Sequence, residues 1–321
     1  MTSDRNSTEE NGKPHVVETD KTAGITTRIV IGKSDELWEY TARQSRKRLG
    51  AQEIPTRNSY ARTSKSSFRR IWFPDRIQFW MGVSFMIGAS LFFYGSVATM
   101  IPQLKPNTYH LNIFPFTGAF FFTSAGFLQW LQASLSDDLS NTNVNVQTLT
   151  VEKFQEFTGS LFDDTDESLR FKFLRLKNYG YMSALFQFAG TLAFNINTYE
   201  ALKTSGVLAS EVLVWSPNFA GSVLFMISAQ FAMTEVSHGA FSWKPRSVSW
   251  WQMFTNYVGS VAFLISAFAS FVLPTGDPVL GHLAHLMTAI GAFCFFTGGY
   301  LLIPELATAL DQKAKKSRTS S

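Results

Sequence analysis

Four asparagines, Asn195, Asn197, Asn218 and Asn256, stand inside stretches otherwise dominated by Phe, Ala, Gly, Val and Leu. A polar amide in hydrocarbon is costly unless it finds a partner or a solute, so these four form the candidate intramembrane polar site. Asn218 and Asn256 each precede a Gly by one turn, where a carboxamide can hydrogen-bond across a helix interface or line a solute path. His282 and His285 are spaced i, i+3 and could present two imidazoles together. With His110 and with Asp277 or Glu200 they are the candidate set for a transition metal on the outer side. Glu305 after Pro304, and Glu235 and His238 beyond the fourth apolar segment, read as solvated or paired with basic tail residues. The sequence carries no Gly-rich phosphate loop, GxSxG, HExxH or CxxC, and its one cysteine, Cys294, cannot form an intramolecular disulfide. A non-enzymatic protein without a cofactor is the reading.

These residues must be positioned by membrane-spanning helices. Charged residues make up 16% of the chain, Phe alone contributes 31 positions, and the apolar content is concentrated between Trp72 and Leu306. Six segments are long enough to cross about 30 Å of hydrocarbon, at approximately 78–101, 113–133, 180–203, 212–233, 250–273 and 282–304. The expected fold is all-α, a polytopic six-helix transmembrane bundle occupying 71–306. Residues 1–70 read as a basic tail, disordered to about 33 and followed from Ser34 by a short amphipathic helix. Residues 307–321 read as a second basic tail. No apolar signal-peptide core is present near the N-terminus, so the first apolar helix is expected to direct insertion.

Basic residues flank the apolar segments, which suits an anionic lipid surface and argues against nucleic acid. Nearly all of them fall in the tails, the loop at 134–179 and the loop at 234–249, leaving Lys105 and Lys203 in the opposite loops. The positive-inside rule then places both termini in the cytoplasm. Within the long loop, Asp163, Asp164, Asp166 and Glu167 lack the spacing of a calcium loop, and LRFKFLRLK alternates apolar and basic side chains as a lipid-surface segment would. The run ARTSKSSFRR could serve as a kinase target.

One pattern recurs in all six segments: Gly, a small residue, two apolar residues, Phe, then small residues one turn further on. Its instances start at Gly88, Gly118, Gly190, Gly221, Gly259 and Gly291, with Asn197 the one departure at the eighth position. On a helix the Gly, the Phe and the later small residues share a face, a device for close backbone approach with a ring filling the gap. The alternative role for the ring is a pore gate. The fourth and fifth copies, NFAGSVLFMISA and NYVGSVAFLISA, cross the membrane in opposite senses and predict a pseudo-two-fold pair.

The run Trp215, Asn218, Phe219, Gly221, Ser222, Phe225, echoed at Asn256, Gly259, Ser260 and Phe263, resembles the YrhK-like domain family of small membrane proteins. The likeness covers the transmembrane hairpins and implies a fold, with no established activity attached. Three functions remain open: a non-enzymatic helix bundle, a small-solute or ion transporter or channel using the inverted pair, and an outer-face metal-binding sensor or enzyme. The partners expected are the lipid bilayer, with a second copy of the chain and cytoplasmic partners of the N-terminal tail left open.

Overall fold

The computed structural model describes residues 15–22, 25–31, 37–41, 43, 47, 52–53, 71–101, 103, 108–134, 178–203, 207–237, 239, 242–245, 247–271 and 280–319. Six helices form its body: α1 (Ile77–Met100), α2 (Thr108–Ser134), α3 (Tyr179–Glu200), α4 (Val207–Ser237), α5 (Val248–Ser270) and α6 (Gly281–Thr319). All except α3 are long and apolar enough to cross a bilayer. At 22 residues α3 has the length, but Asn195, Asn197 and Glu200 dilute its apolar character. The outward faces carry large exposed apolar side chains, among them Phe120, Ile196, Phe268 and Phe293. The chain is a multi-pass integral membrane protein with an all-α transmembrane domain.

The helices form a closed ring in chain order: each packs on its successor, and α6 returns to α1. Glycine sets the approach. A Cβ on Gly88 would meet the Gly118 carbonyl oxygen at 2.9 Å, and one on Gly118 would meet that of Gly88 at the same distance. Gly190 and Gly221 repeat this reciprocal contact at 3.1 Å, and Gly259 and Gly291 at 3.1 and 3.0 Å. The unit that repeats is therefore the hairpin, α1–α2, α3–α4 and α5–α6, arranged three times around the bundle axis. The near-identical copies in α4 and α5 belong to different hairpins and pack side by side. Within those hairpins α4 is the second helix and α5 the first, so the two near-identical copies hold opposite positions in neighbouring units.

Two helices run beyond the bounds expected of them. α2 begins before Pro115, whose ring lies over Gly95, where no side chain obstructs it. α6 passes through Pro304 to Thr319, because Leu306, Ala307 and Ala309 bury a face against Phe73 and Phe79. The stretch from 307, expected as a basic tail, thus continues the helix as far as Thr319. Asn178 and Ser247 cap α3 and α5, accepting from the backbone N–H of Tyr181 and Trp250.

The N-terminal region also departs from expectation. Strands β1 (His15–Thr22), β2 (Ile25–Ile31), β3 (Leu37–Thr41) and β4 (Gln52–Glu53) form one antiparallel sheet in that order, with Ile31 opposite both His15 and Leu37. Val16, Val17, Ile25, Ile29, Val30 and Ile31 are β-branched, and Trp38 and Tyr40 also favour strands. Successive strands satisfy one another's backbone groups, a gain invisible when each segment is judged alone. The helix expected from Ser34 is displaced by β3, and helical conformation is found further on, at Arg43 and Lys47. Asp163–Glu167, LRFKFLRLK, ARTSKSSFRR, His238 and Asp277 lie outside the described residues.

Candidate functional site

Each of the six repeat glycines is followed, four residues on, by a phenylalanine: Phe92, Phe122, Phe194, Phe225, Phe263 and Phe295. All six are buried in one cluster. Because α1, α3 and α5 run opposite to α2, α4 and α6, the same offset sends three rings toward one end of the bundle and three toward the other. Phe92, Phe194 and Phe263 form a triangle with centroids 6.3, 6.2 and 5.8 Å apart. In the second layer Phe295 lies 5.8 Å from Phe122 and 5.5 Å from Phe225. Within the hairpins the two layers touch at 5.3, 5.0 and 5.4 Å. Such contacts each contribute about 0.5–1.5 kcal/mol beyond area burial, and together they close the axis with two courses of aromatic rings.

Polar cavities lie on either side of this seal. The far cavity, at the end away from the tails, has a volume of about 150 Å³ and is floored by Phe92, Phe194 and Phe263. At roughly 30 Å³ per water it has room for about five waters or a small polar solute. Its walls carry Ser96, Thr99, Asn112, Asn197, Thr198, Asn218, Ser266, Ser270, Thr288 and His285. Asn197 donates to the Val214 carbonyl at 2.7 Å, and Asn112 to that of Ala201 at 2.8 Å. Val214 belongs to a π-helical stretch, Ser210–Trp215, whose wider turn presents this carbonyl to α3 and brings Trp215 to the cavity wall. The Trp215 indole N–H is buried there without a partner among the described residues.

The near cavity, of about 40 Å³, is lined by Gln129, Gln132, Ser183, Gln187, Ser228, Gln252 and Asn256. Gln187 accepts from Ser228 at 3.1 Å through its oxygen. The Nε2 groups of Gln132 and Gln187 and the Oδ1 of Asn256 have no partner among the described residues. Asn256 fits only because α6 has Gly298 opposite it: a Cβ there would collide with the Asn256 amide oxygen. An ionic lid closes the tail-side mouth. Glu305 accepts from Lys47 Nζ at 2.5 Å, from Arg43 at 3.3 Å and from Ser249 at 2.7 Å. Arg43 also donates to Gln252 Oε1 at 2.7 Å and lies 4.0 Å from Glu235. All five of these charged or amide side chains are buried.

The four asparagines are therefore not one site. Asn197 and Asn218 line the far cavity and Asn256 the near one, while Asn195 turns sideways to hydrogen-bond Thr123 of α2. Of the candidate histidines, His282 is exposed and His285 lines the far cavity, the His110 side chain lies outside the described residues, and no metal-binding group of three side chains occurs among the described residues. The polar glutamines were not picked out from the sequence, whereas for Glu305 and Glu235 the second of the two readings, pairing with basic tail residues, is the one found. The repeat register could have found part of them, since Gln132, Glu235 and Glu305 each lie fourteen residues beyond the Gly of α2, α4 and α6.

No family model, curated protein or solved structure matches this chain.

Proposed function

We propose that the bundle is a gated path for a small polar solute, held closed by the double phenylalanine seal, with the tail end facing the cytoplasm. The observation that carries this reading is the pair of polar cavities lying on one axis at opposite sides of the six rings. A bundle that only scaffolds gains nothing from burying unpartnered amides in hydrocarbon, where each is worth several kcal/mol of penalty. Rings meeting at a constriction are, by contrast, a known way of gating by dewetting. Orientation rests on the excess of Lys and Arg at the tail end. The family proposal, a YrhK-like protein, rests on the Trp215–Phe225 run, which spans the π-helical turn and the α4 glycine.

The test is permeation through proteoliposomes. Phe263 and Phe295 stack at 5.4 Å and belong to opposite layers. F263A/F295A should raise the permeability to urea, glycerol or methylammonium about tenfold or more over the unaltered chain, a barrier lower by roughly 1.4 kcal/mol or more. A folded double variant that admits none of these solutes would leave the bundle a sealed scaffold.

Asn197 supplies a smaller expectation. N197L removes the donor to Val214 and leaves that carbonyl unpaired, lowering stability by about 1–3 kcal/mol in thermal unfolding. N195L, which releases only a half-buried contact to Thr123, should have a lesser effect.

A further inference from the structure

We propose that Glu235, Glu305 and the Gln252 carbonyl form a binding site for an ammonium- or guanidinium-type cation at the tail-side mouth, occupied in this state by the chain's own Arg43 and Lys47. The proposal builds on the solute path proposed above, naming the chemistry that path admits and the device that blocks it. Glu235 and Glu305 occupy equivalent places in two hairpins, and their third counterpart is Gln132. All three are 4–5% exposed. The mouth thus presents two buried carboxylates and one amide around the axis, a constellation that cannot stay ionised in a low-dielectric setting without cations.

Those cations come from residues more than 180 positions away in sequence, carried on the segment that follows β3. Each mimics a different ligand. Arg43 offers a guanidinium to Glu305 and Gln252, and Lys47 an ammonium to Glu305 at 2.5 Å, with Gln252 Oε1 a further 3.4 Å contact. Gln78 of α1 also donates to the Lys47 carbonyl at 2.6 Å. Behind it, the unpartnered Asn256 oxygen continues the line of acceptors into the near cavity. Arg43 and Lys47 form a tethered plug: while they are seated, a soluble cation cannot enter, and when they leave, the mouth becomes a cation-selecting vestibule.

Thermal unfolding of the purified full chain in detergent tests this without relying on flux. R43Q/K47Q should unfold at a lower temperature than the unaltered chain. Ethylguanidinium chloride at about 10 mM should then recover at least half of the loss, while sodium chloride at the same ionic strength does not. R43Q/K47Q/E235Q/E305Q should show no such difference between the two salts. Equal responses to both salts, or the same selective response in the fourfold variant, overturn the site. Should R43Q/K47Q not fold, a protease site inserted at 56–60 gives the second measurement. After cleavage the released segment should stay with the bundle on gel filtration and be displaced by ethylguanidinium but not by sodium chloride. Displacement by both salts alike would refute the plug. Permeation failing in F263A/F295A would count against the path and leave these binding results to judge the site.

Discussion

Glu305→Ala should destabilise the bundle by about 3–5 kcal/mol, the range seen when one partner of a buried ion pair is removed. The carboxylate accepts from Lys47, Arg43 and Ser249, and its removal strands two cations in a mouth where neither is exposed to water. Gln252 Oε1, Met253 Sδ and Glu235 at 4.0 Å, which also lie against these cations among the described residues, do not replace the lost carboxylate. Asp75 supplies the contrast. It pairs with Arg76 at 3.0 Å but is 59% exposed, so Asp75→Ala should change stability by no more than about 1 kcal/mol. Removing all four charges together, as R43M/K47M/E235Q/E305M, should be milder than Glu305→Ala alone, because none of these ions is left behind without its counter-charge. Thermal unfolding of the four proteins ranks them directly. A Glu305→Ala protein as stable as Asp75→Ala would mean that water reaches the lid and screens it.

What the sequence makes readable is the local and periodic part of this design. Gly88 and its five counterparts, each with a Phe one turn on, are visible as a repeat because every copy must solve the same problem of close helix approach in lipid. Within each hairpin the two repeat glycines lie against one another's carbonyl oxygens. The repeat does not reveal that all six rings meet, since that depends on a ring of helices closing and on neighbours running in opposite directions. Nor does it separate Asn218 from Asn256. Both stand three residues before a Gly, but in helices of opposite sense, so identical spacing delivers them to opposite cavities.

The lid is hidden for a different reason. Lys47 and Glu305 are separated by 258 residues, and no periodicity links a tail to the last helix. Judged by composition, 1–70 lacks the apolar surface to fold alone, and its four-stranded sheet is set down in a context that includes a contact between β4 and α6. Strand formation there depends on pairing partners, which a segment-by-segment reading cannot credit. Glu305 itself reads as a helix-end carboxylate because Pro304 suggests a stop. The helix continues because the buried Leu306, Ala307 and Ala309 offset the missing proline hydrogen bond.

Gly118→Ala should lower stability by about 2 kcal/mol, although alanine is the better helix former. The propensity gain is about 1 kcal/mol. Against it, the added methyl would lie 2.9 Å from the Gly88 carbonyl oxygen, 2.9 Å from Phe92 Cδ2 and 3.2 Å from Leu91 Cβ. The oxygen is part of a helix backbone and can retreat only if α1 and α2 separate, which also loosens Phe92 in the upper triangle of the seal. Overpacking of this kind costs about 1–3 kcal/mol, and a contact with backbone belongs at the upper end. Gly126, two turns along the same helix, provides an internal control. Its added methyl would meet Phe188 Cα at 3.3 Å and the Thr191 side chain at 3.4 Å, distances that a few tenths of an ångström relieve. Gly126→Ala should therefore be close to neutral. If thermal unfolding gives Gly118→Ala and Gly126→Ala the same midpoint, the glycine crossing is not the point about which the hairpin is built. A drop confined to Gly118→Ala, accompanied by solute leakage through the loosened rings, would tie the crossing that holds the hairpin together to the seal that closes the path.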